Sequence, residues 1–276
     1  MFKFRVWSDT HIEFGNVSLS KLVRPDDANT VLFLAGDIGV GLMHRALLEK
    51  VCKRFKAVVL TTGNHEYYEN EISNVDSRLN KLADQIPNLH FLNPGTVLFT
   101  DENVCVLGCT LWTDYNRNNP IVVMKARQYM NDFRHISVEH ESGEIMKLQP
   151  YDVVQMNNNH RTYLRESLML CQAAKRANPK LRVVVMTHHA PFTNLPRNDD
   201  HGVVDDCDFG YFNTGLEDLA EQCDLWIHGH THQRYDLPHY DGEDGKACRV
   251  ITNSRGYRGY QKMAKTFEQE DKVYTL

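Results

Sequence analysis

The chain has 276 residues, 42% of them hydrophobic, enough for one large domain with a sizeable core. Its 31 Lys and Arg against 36 Asp and Glu give a formal net charge of −5, which excludes an overall cationic field for nucleic acid or an anionic membrane. No apolar run approaches the roughly 20 residues that span a bilayer. The N-terminus, Met1 to Arg5, lacks the apolar segment of a signal peptide, and the seven scattered cysteines form no C-x-x-C pair. These features predict reduced thiols in a cytoplasmic protein without a membrane partner.

Short apolar runs recur along the chain, and polar residues follow them. Phe2 to Trp7 reads as a strand leading into Ser8-Asp9-Thr10-His11. Val31 to Ala35 precedes Gly36-Asp37, and Ala57 to Leu60 precedes Gly63-Asn64-His65-Glu66. Helical spacing is expected over Met43 to Phe55 and over Glu71 to Ile86, where Pro87 ends it. Asn103 to Gly108 reads as a further strand. Residues 112–150 are less regular, with a short helix near Ile121 to Met130, and read as an excursion that caps a site. Tyr151 to Ala177 predicts a long helix. Val183 to Met186 leads into Thr187-His188-His189, and Leu225 to Ile227 into His228-Gly229-His230-Thr231-His232. Between them, residues 192–213 are a polar excursion. Cys248 to Thr252 reads as the last strand. Strands alternating with helices predict an α/β domain over residues 1–276, with a mixed sheet or two packed sheets.

The chemistry lies in five separated motifs: Asp9-x-His11, Gly36-Asp37, Asn64-His65 after Gly63, His188, and His230-x-His232 after Gly229. Each puts a hard oxygen or an imidazole directly after a strand, where α/β sheets bind ligands. Two carboxylates, one amide and four imidazoles, with no thiolate, suit zinc, iron or manganese rather than calcium or magnesium. Seven ligands are too many for one tetrahedral ion and suit two ions bridged by one carboxylate. His188 and His189 are adjacent, so on an extended chain they point to opposite sides and only one joins the set.

These motifs, with Asn64 to Tyr68, Leu111-Trp112-Thr113, Asn131 to Arg134 and Asn253 to Tyr257, resemble the calcineurin-like metallophosphoesterases, in particular small bacterial and phage members of unassigned substrate. The resemblance runs from Asp9 to about Tyr257 and implies a four-layer α/β/β/α sandwich of two mixed sheets flanked by helices. It implies that Asp9, His11 and His232 hold one divalent ion, that Asn64, His188 and His230 hold a second, and that Asp37 bridges them opposite a hydroxide. It makes His188 rather than His189 the ligand, and His65 a catalytic group facing the substrate. The expected activity is hydrolysis of a phosphomonoester or phosphodiester, in a small molecule or nucleotide, with a nuclease or a non-catalytic scaffold as alternatives. Tyr67, His189 and Arg255 are candidate substrate contacts, and Arg134 and Arg197 weaker ones. Glu66 is expected either to support the site or to be an ordinary surface carboxylate.

Overall fold

In the computed structural model, which describes residues 1–196, 210–241 and 247–276, the apolar runs become strands buried on both faces. β1 (Lys3–Trp7), β2 (Val31–Ala35) and β3 (Ala57–Thr61) run parallel, and β4 (Leu89–Phe91) extends them. The C-terminal strand Tyr274–Thr275 pairs antiparallel with β1, completing a five-stranded sheet. A second sheet holds six strands. In it β5 (Gly95–Phe99) pairs antiparallel with β6 (Val104–Cys109), which lies parallel to Arg182–Thr187, the strand before His188. That strand pairs with Leu225–Ile227, which pairs with Ala247–Asn253, and antiparallel Arg234–Asp241 forms the edge.

Alternation along each strand builds the layers. Phe4, Val6, Phe33 and Val59 of the first sheet pack with Val106, Val184, Met186, Ile227 and Ile251 of the second. Their neighbours Leu32, Leu34, Val58 and Leu60 face outward onto α1 (Arg45–Cys52) and α2 (Ile72–Gln85), meeting Leu48, Val51, Val75 and Leu79. On the far side, Val183, Val185 and Trp226 meet Leu164, Leu168 and Cys171 of a helix over Pro150–Ala177. This is the expected four-layer sandwich. Both faces of the central strands are covered, so they read as continuous hydrophobic runs.

Several strands depart from the sequence reading. The strand Leu89–Phe91, the edge strands Gly95–Phe99 and Arg234–Asp241, and the hairpin of Ser137–Glu139 with Ile145–Lys147 were not expected. Pro238 sits within Arg234–Asp241, where an edge position and a register shift beyond Leu237 tolerate it. Residues 112–150, read as an excursion, pack onto the core. Trp112, Tyr115, Val122, Ala126, Phe133, Ile136 and Leu148 join the core outside the first sheet, and Pro120–Tyr129 is helical. Residues 197–209, with Arg197 and most of the second excursion, lie outside the described residues. Six cysteines are free and buried, and Cys207 lies outside the described residues. Among the described residues, no helix is long and apolar enough to cross a membrane.

The chain leaves β6 through Leu111 and Trp112, both in the left-handed region at φ 70° and 58°. The long helix holds them there. Leu111 N donates to His160 Nδ1, and Asn157 Nδ2 donates to Leu111 O. Burial lowers the His160 pKa to about 4, and the bond it accepts requires the neutral ring. A His depressed below its unfolded value stabilises the fold fully above pH ~6.5 and loses that contribution as pH falls toward 4. Urea titrations at pH 7 and pH 5 are expected to show wild type losing up to ~1.4 kcal/mol per pH unit through this residue. His160→Asn should flatten the dependence, and an unchanged slope would show that His160 is not the group responsible.

Candidate metal centre

The C-terminal ends of β1, β2, β3, Arg182–Thr187 and Leu225–Ile227 lie together, as strands sharing a direction require. Asp9, His11, Asp37, His230 and His232 all have positive φ, between 42° and 67°. Non-glycine residues enter this region at a cost, and Asp and His are among the more tolerant. The cost is met by bonds between the loops. Asp9 N donates to Gly36 O, His11 N to Asp37 O, Gly229 N to His188 O and Gly256 N to Asp9 O. The motif glycines allow close approach. A Cβ on Gly63 would lie 2.2 Å from Asp37 Oδ1, and one on Gly36 would lie 2.4 Å from His188 Nδ1.

Among the described residues, three groups bring ligand atoms within 4.8 Å of one another: Asp9, His11 and His232; His11, Asp37 and His65; and Asp37, His188 and His230. Asp37 Oδ2 lies 3.6 Å from His11 Nε2 and 3.4 Å from His188 Nε2, between the outer groups. Asn64 Oδ1 is 3.2 Å from His188 Nε2, and His230 Nδ1 is 3.1 Å from the same atom. His11 Nε2 and His232 Nε2 are 3.1 Å apart.

The outward nitrogens decide what these inward atoms can do. His188 Nδ1 donates to Ala35 O, His11 Nδ1 to Glu13 Oε1 and His232 Nδ1 to Gln261 Oε1. With Nδ1 donating outward, the neutral form of each ring turns the lone pair of Nε2 inward. Converging lone pairs and carboxylates repel one another, and a cation among them removes the repulsion. His230 Nε2 is buried without a partner. The donor set therefore fits a divalent cation of the zinc, iron or manganese kind.

Neighbouring residues set the orientations. Asn64 Nδ2 donates to Asp132 Oδ1 at 2.8 Å, which turns the amide oxygen toward His188. Asp9 Oδ2 accepts from Ser254 Oγ, and Asp9 Oδ1 from His230 N. Glu66 is fully buried, and its carboxylate accepts from the backbone N–H groups of Asp37, Ile38 and Gly63. It thus clamps two of the ligand loops and is no surface residue.

His65 lies beside this cluster. Its N–H donates to Asp37 Oδ1, its Nδ1 lies 3.2 Å from Glu13 Oε1, and Tyr68 stacks on its ring at 4.2 Å. Burial disfavours its charge, but Asp37 and Glu13 outweigh burial and raise its pKa to about 9. Its Nε2 is 3.4 Å from the Tyr257 hydroxyl, and the Tyr257 ring packs 4.5 Å from His11 and 4.6 Å from His232.

The candidate substrate contacts fare differently. Tyr67 is fully buried and stacked on Trp112, and its hydroxyl is taken by Thr62, Asp76 and Asn93. Its neighbour Tyr68 is the one beside His65. Arg255 is buried and donates to the carbonyls of Thr10, Gly15 and Asn16, so its charge pins the His11 loop instead of reaching into solvent. His189 is also buried. Its Nδ1 donates to Thr110 O, and its ring lies 4.1 Å from that of His230. Arg134 is bonded to Asn131 and to the Gln128 carbonyl.

Sequence reasoning missed Glu13, Asp132, Ser254, Gln261 and Tyr257 as site residues. Glu13 stands two residues after His11, and Asp132, Ser254 and Tyr257 lie inside motifs already singled out. Nothing near Gln261 in sequence signals its place.

The family model described as calcineurin-like phosphoesterase matches residues 2–234. Among solved structures, the phosphopantetheinyl hydrolase from Mycobacterium tuberculosis is similar, with a TM-score of 0.66 at 17% identity, over 95% of this chain and 93% of that one. A protein of Thermus thermophilus gives a TM-score of 0.48 at 10% identity, over 92% and 89% of the two chains. At these identities the likeness concerns the fold alone. No curated protein matches the chain.

Proposed function

The chain belongs to the calcineurin-like phosphoesterase family and is a metal-dependent phosphoesterase, and from that premise we propose that it hydrolyses small phosphodiesters or phosphomonoesters, nucleotides among them, at a centre of two divalent ions. Asp9, His11 and His232 would hold one ion, and Asn64, His188 and His230 the other. Asp37 would serve both. Manganese, iron and zinc all suit these donors.

The observation that carries this reading is the convergence of His11 and His188 Nε2 on Asp37 Oδ2 and of His232 Nε2 on His11 Nε2 and Asp9 Oδ1, each ring fixed by an outward N–H bond. When bound, the ions supply Lewis acidity toward phosphoryl oxygens and make water acidic near neutral pH. The chain's own residues do the rest. Asp132 holds the Asn64 oxygen inward, and Glu66 fixes the loops of Asp37 and Gly63. His65, held protonated beside Asp37 and Glu13, gives its Nε2 proton to the departing ester oxygen. Tyr257 limits where that nitrogen points.

The test uses paired nitrophenyl monoester and diester substrates, with wild type and His230→Ala, after chelation and again after reloading with manganese. Turnover should vanish on chelation, return on reloading and be lost in the variant. The ratio of the two rates then ranks monoesterase against diesterase. Turnover that survives chelation would sink the reading. Silence on both esters with metal bound would move the search to a nucleotide panel and to single-stranded nucleic acid, the nuclease alternative.

A further inference from the structure

The loop after β1 returns a carboxylate to the centre. His11 is left-handed, a tight turn covers Ile12–Phe14, and Gly15 follows at φ 126°. Ile12 N donates to Ile38 O, and Arg255 ties down the carbonyls of Thr10 and Gly15 on either side. Glu13 is thereby held with its side chain only 14% exposed, between two histidines of different duties.

A single oxygen serves both. Glu13 Oε1 lies 2.9 Å from His11 Nδ1 and 3.2 Å from His65 Nδ1, and the two rings are 4.4 Å apart at 74° to each other. A carboxylate oxygen has two lone pairs and accepts two such bonds. Each imidazole, anchored at Nδ1, must aim Nε2 the opposite way. His11 Nε2 then faces Asp37 and His232, whereas His65 Nε2 faces the Tyr257 hydroxyl. Glu13 belongs to none of the three groups of clustered ligand atoms.

We propose that Glu13 is a positioning residue that fixes a metal-holding histidine, His11, and a proton-donating histidine, His65, against one atom, and so sets the offset between the metal and the departing oxygen. This rests on the roles proposed above for His11 and His65. A carboxylate with a merely structural role would bear on the stability of the His11 loop alone. The shared oxygen makes the metal and the proton donor answer to one side chain.

The experiment compares wild type, Glu13→Gln, Glu13→Asp, His65→Ala and the Glu13→Gln/His65→Ala double variant, with thermal melts to confirm folding. Manganese affinity is measured on chelated protein, and kcat on the better nitrophenyl ester at saturating manganese. Glu13→Gln should weaken manganese binding by about 10–100-fold, the range for losing an outer partner of a ligand, and should also lower kcat. In the His65→Ala background it should still weaken manganese binding but lower kcat no further. Glu13→Asp keeps the charge, is one methylene shorter and cannot span both rings, so it should behave like Glu13→Gln. Imidazole nitrogen spectra of the zinc-loaded protein should show both Nδ1–H groups strongly hydrogen-bonded in wild type and both weakened in Glu13→Gln.

Manganese affinity and kcat within twofold of wild type in Glu13→Gln would overturn the proposal. So would kcat losses that multiply in the double variant, or weakening of only one of the two Nδ1–H bonds. If wild type binds manganese but hydrolyses neither ester, the substrate search moves to the nucleotide panel, and that outcome bears on the hydrolysis reading alone. The affinities and spectra, which need no turnover, then decide the role of Glu13.

Discussion

Asp37→Asn is expected to abolish measurable turnover and to lower the metal content of the purified protein. Asp37 Oδ2 stands 3.6 Å from His11 Nε2 and 3.4 Å from His188 Nε2, and Oδ1 accepts from His65 N. Burial works against its charge, but His188, His65 and His11 outweigh burial and hold its pKa well below the usual carboxylate range. A buried carboxylate that stays ionised among imidazoles is a strong ligand for a cation. The amide is nearly isosteric, so the fold should survive while the charge is lost. Removing an outer partner of a metal ligand costs about 10–100-fold in affinity or activity, and removing a carboxylate shared by two groups should cost more. Wild type should also gain thermal stability from added manganese, because a ligand that binds only the folded state stabilises it. That gain should shrink in Asp37→Asn. Rates and metal content near wild type would mean that Asp37 is not the shared ligand.

His65→Ala is expected to separate chemistry from metal binding. Loss of a positioned acid costs on the order of 10²–10⁴-fold in rate, while the metal content should stay near wild type. His65 touches the cluster through a backbone bond to Asp37, and its side chain faces Glu13 and Tyr257. The loss should grow as the leaving group becomes poorer, since a nitrophenolate departs with little help from a proton and an alkoxide does not. Metal content lost together with activity would instead make His65 a ligand, as its place in one of the three clusters allows. An equal loss for good and poor leaving groups would point to charge stabilisation by the imidazolium.

Much of this was legible in the chain because the signals are local. Strands buried on both faces leave unbroken apolar runs, so Val31 to Ala35 and Leu225 to Ile227 could be read with their true bounds. The long helix was legible from its periodicity, and it begins at Pro150 behind an Asp152 that accepts from Gln149 N. The polar words after five strands could be read as ligands because a hard oxygen or an imidazole directly behind a buried strand is costly without a partner. The edge strands were not legible. Gly95–Phe99 alternates half-buried and exposed residues, but the exposed face carries the apolar Leu98, so the sequence shows no polar–apolar alternation.

The order of elements, the donor types and the spacing of the motifs depend on residues near one another in the chain, so they could be read from it directly. Which polar residues meet across long separations depends on how distant segments pack. Asp132 reaches Asn64 across 68 residues, and Gln261 reaches His232 across 29. Tyr67 and Tyr68 look equivalent in sequence, yet one is spent in the core and the other stacks on His65. Arg255 carries a charge suited to phosphate but satisfies backbone carbonyls. The physical reason is common to all of them. A side chain's type sets which bonds it can make, and the packing of distant segments sets which partner is within about 3 Å to make them.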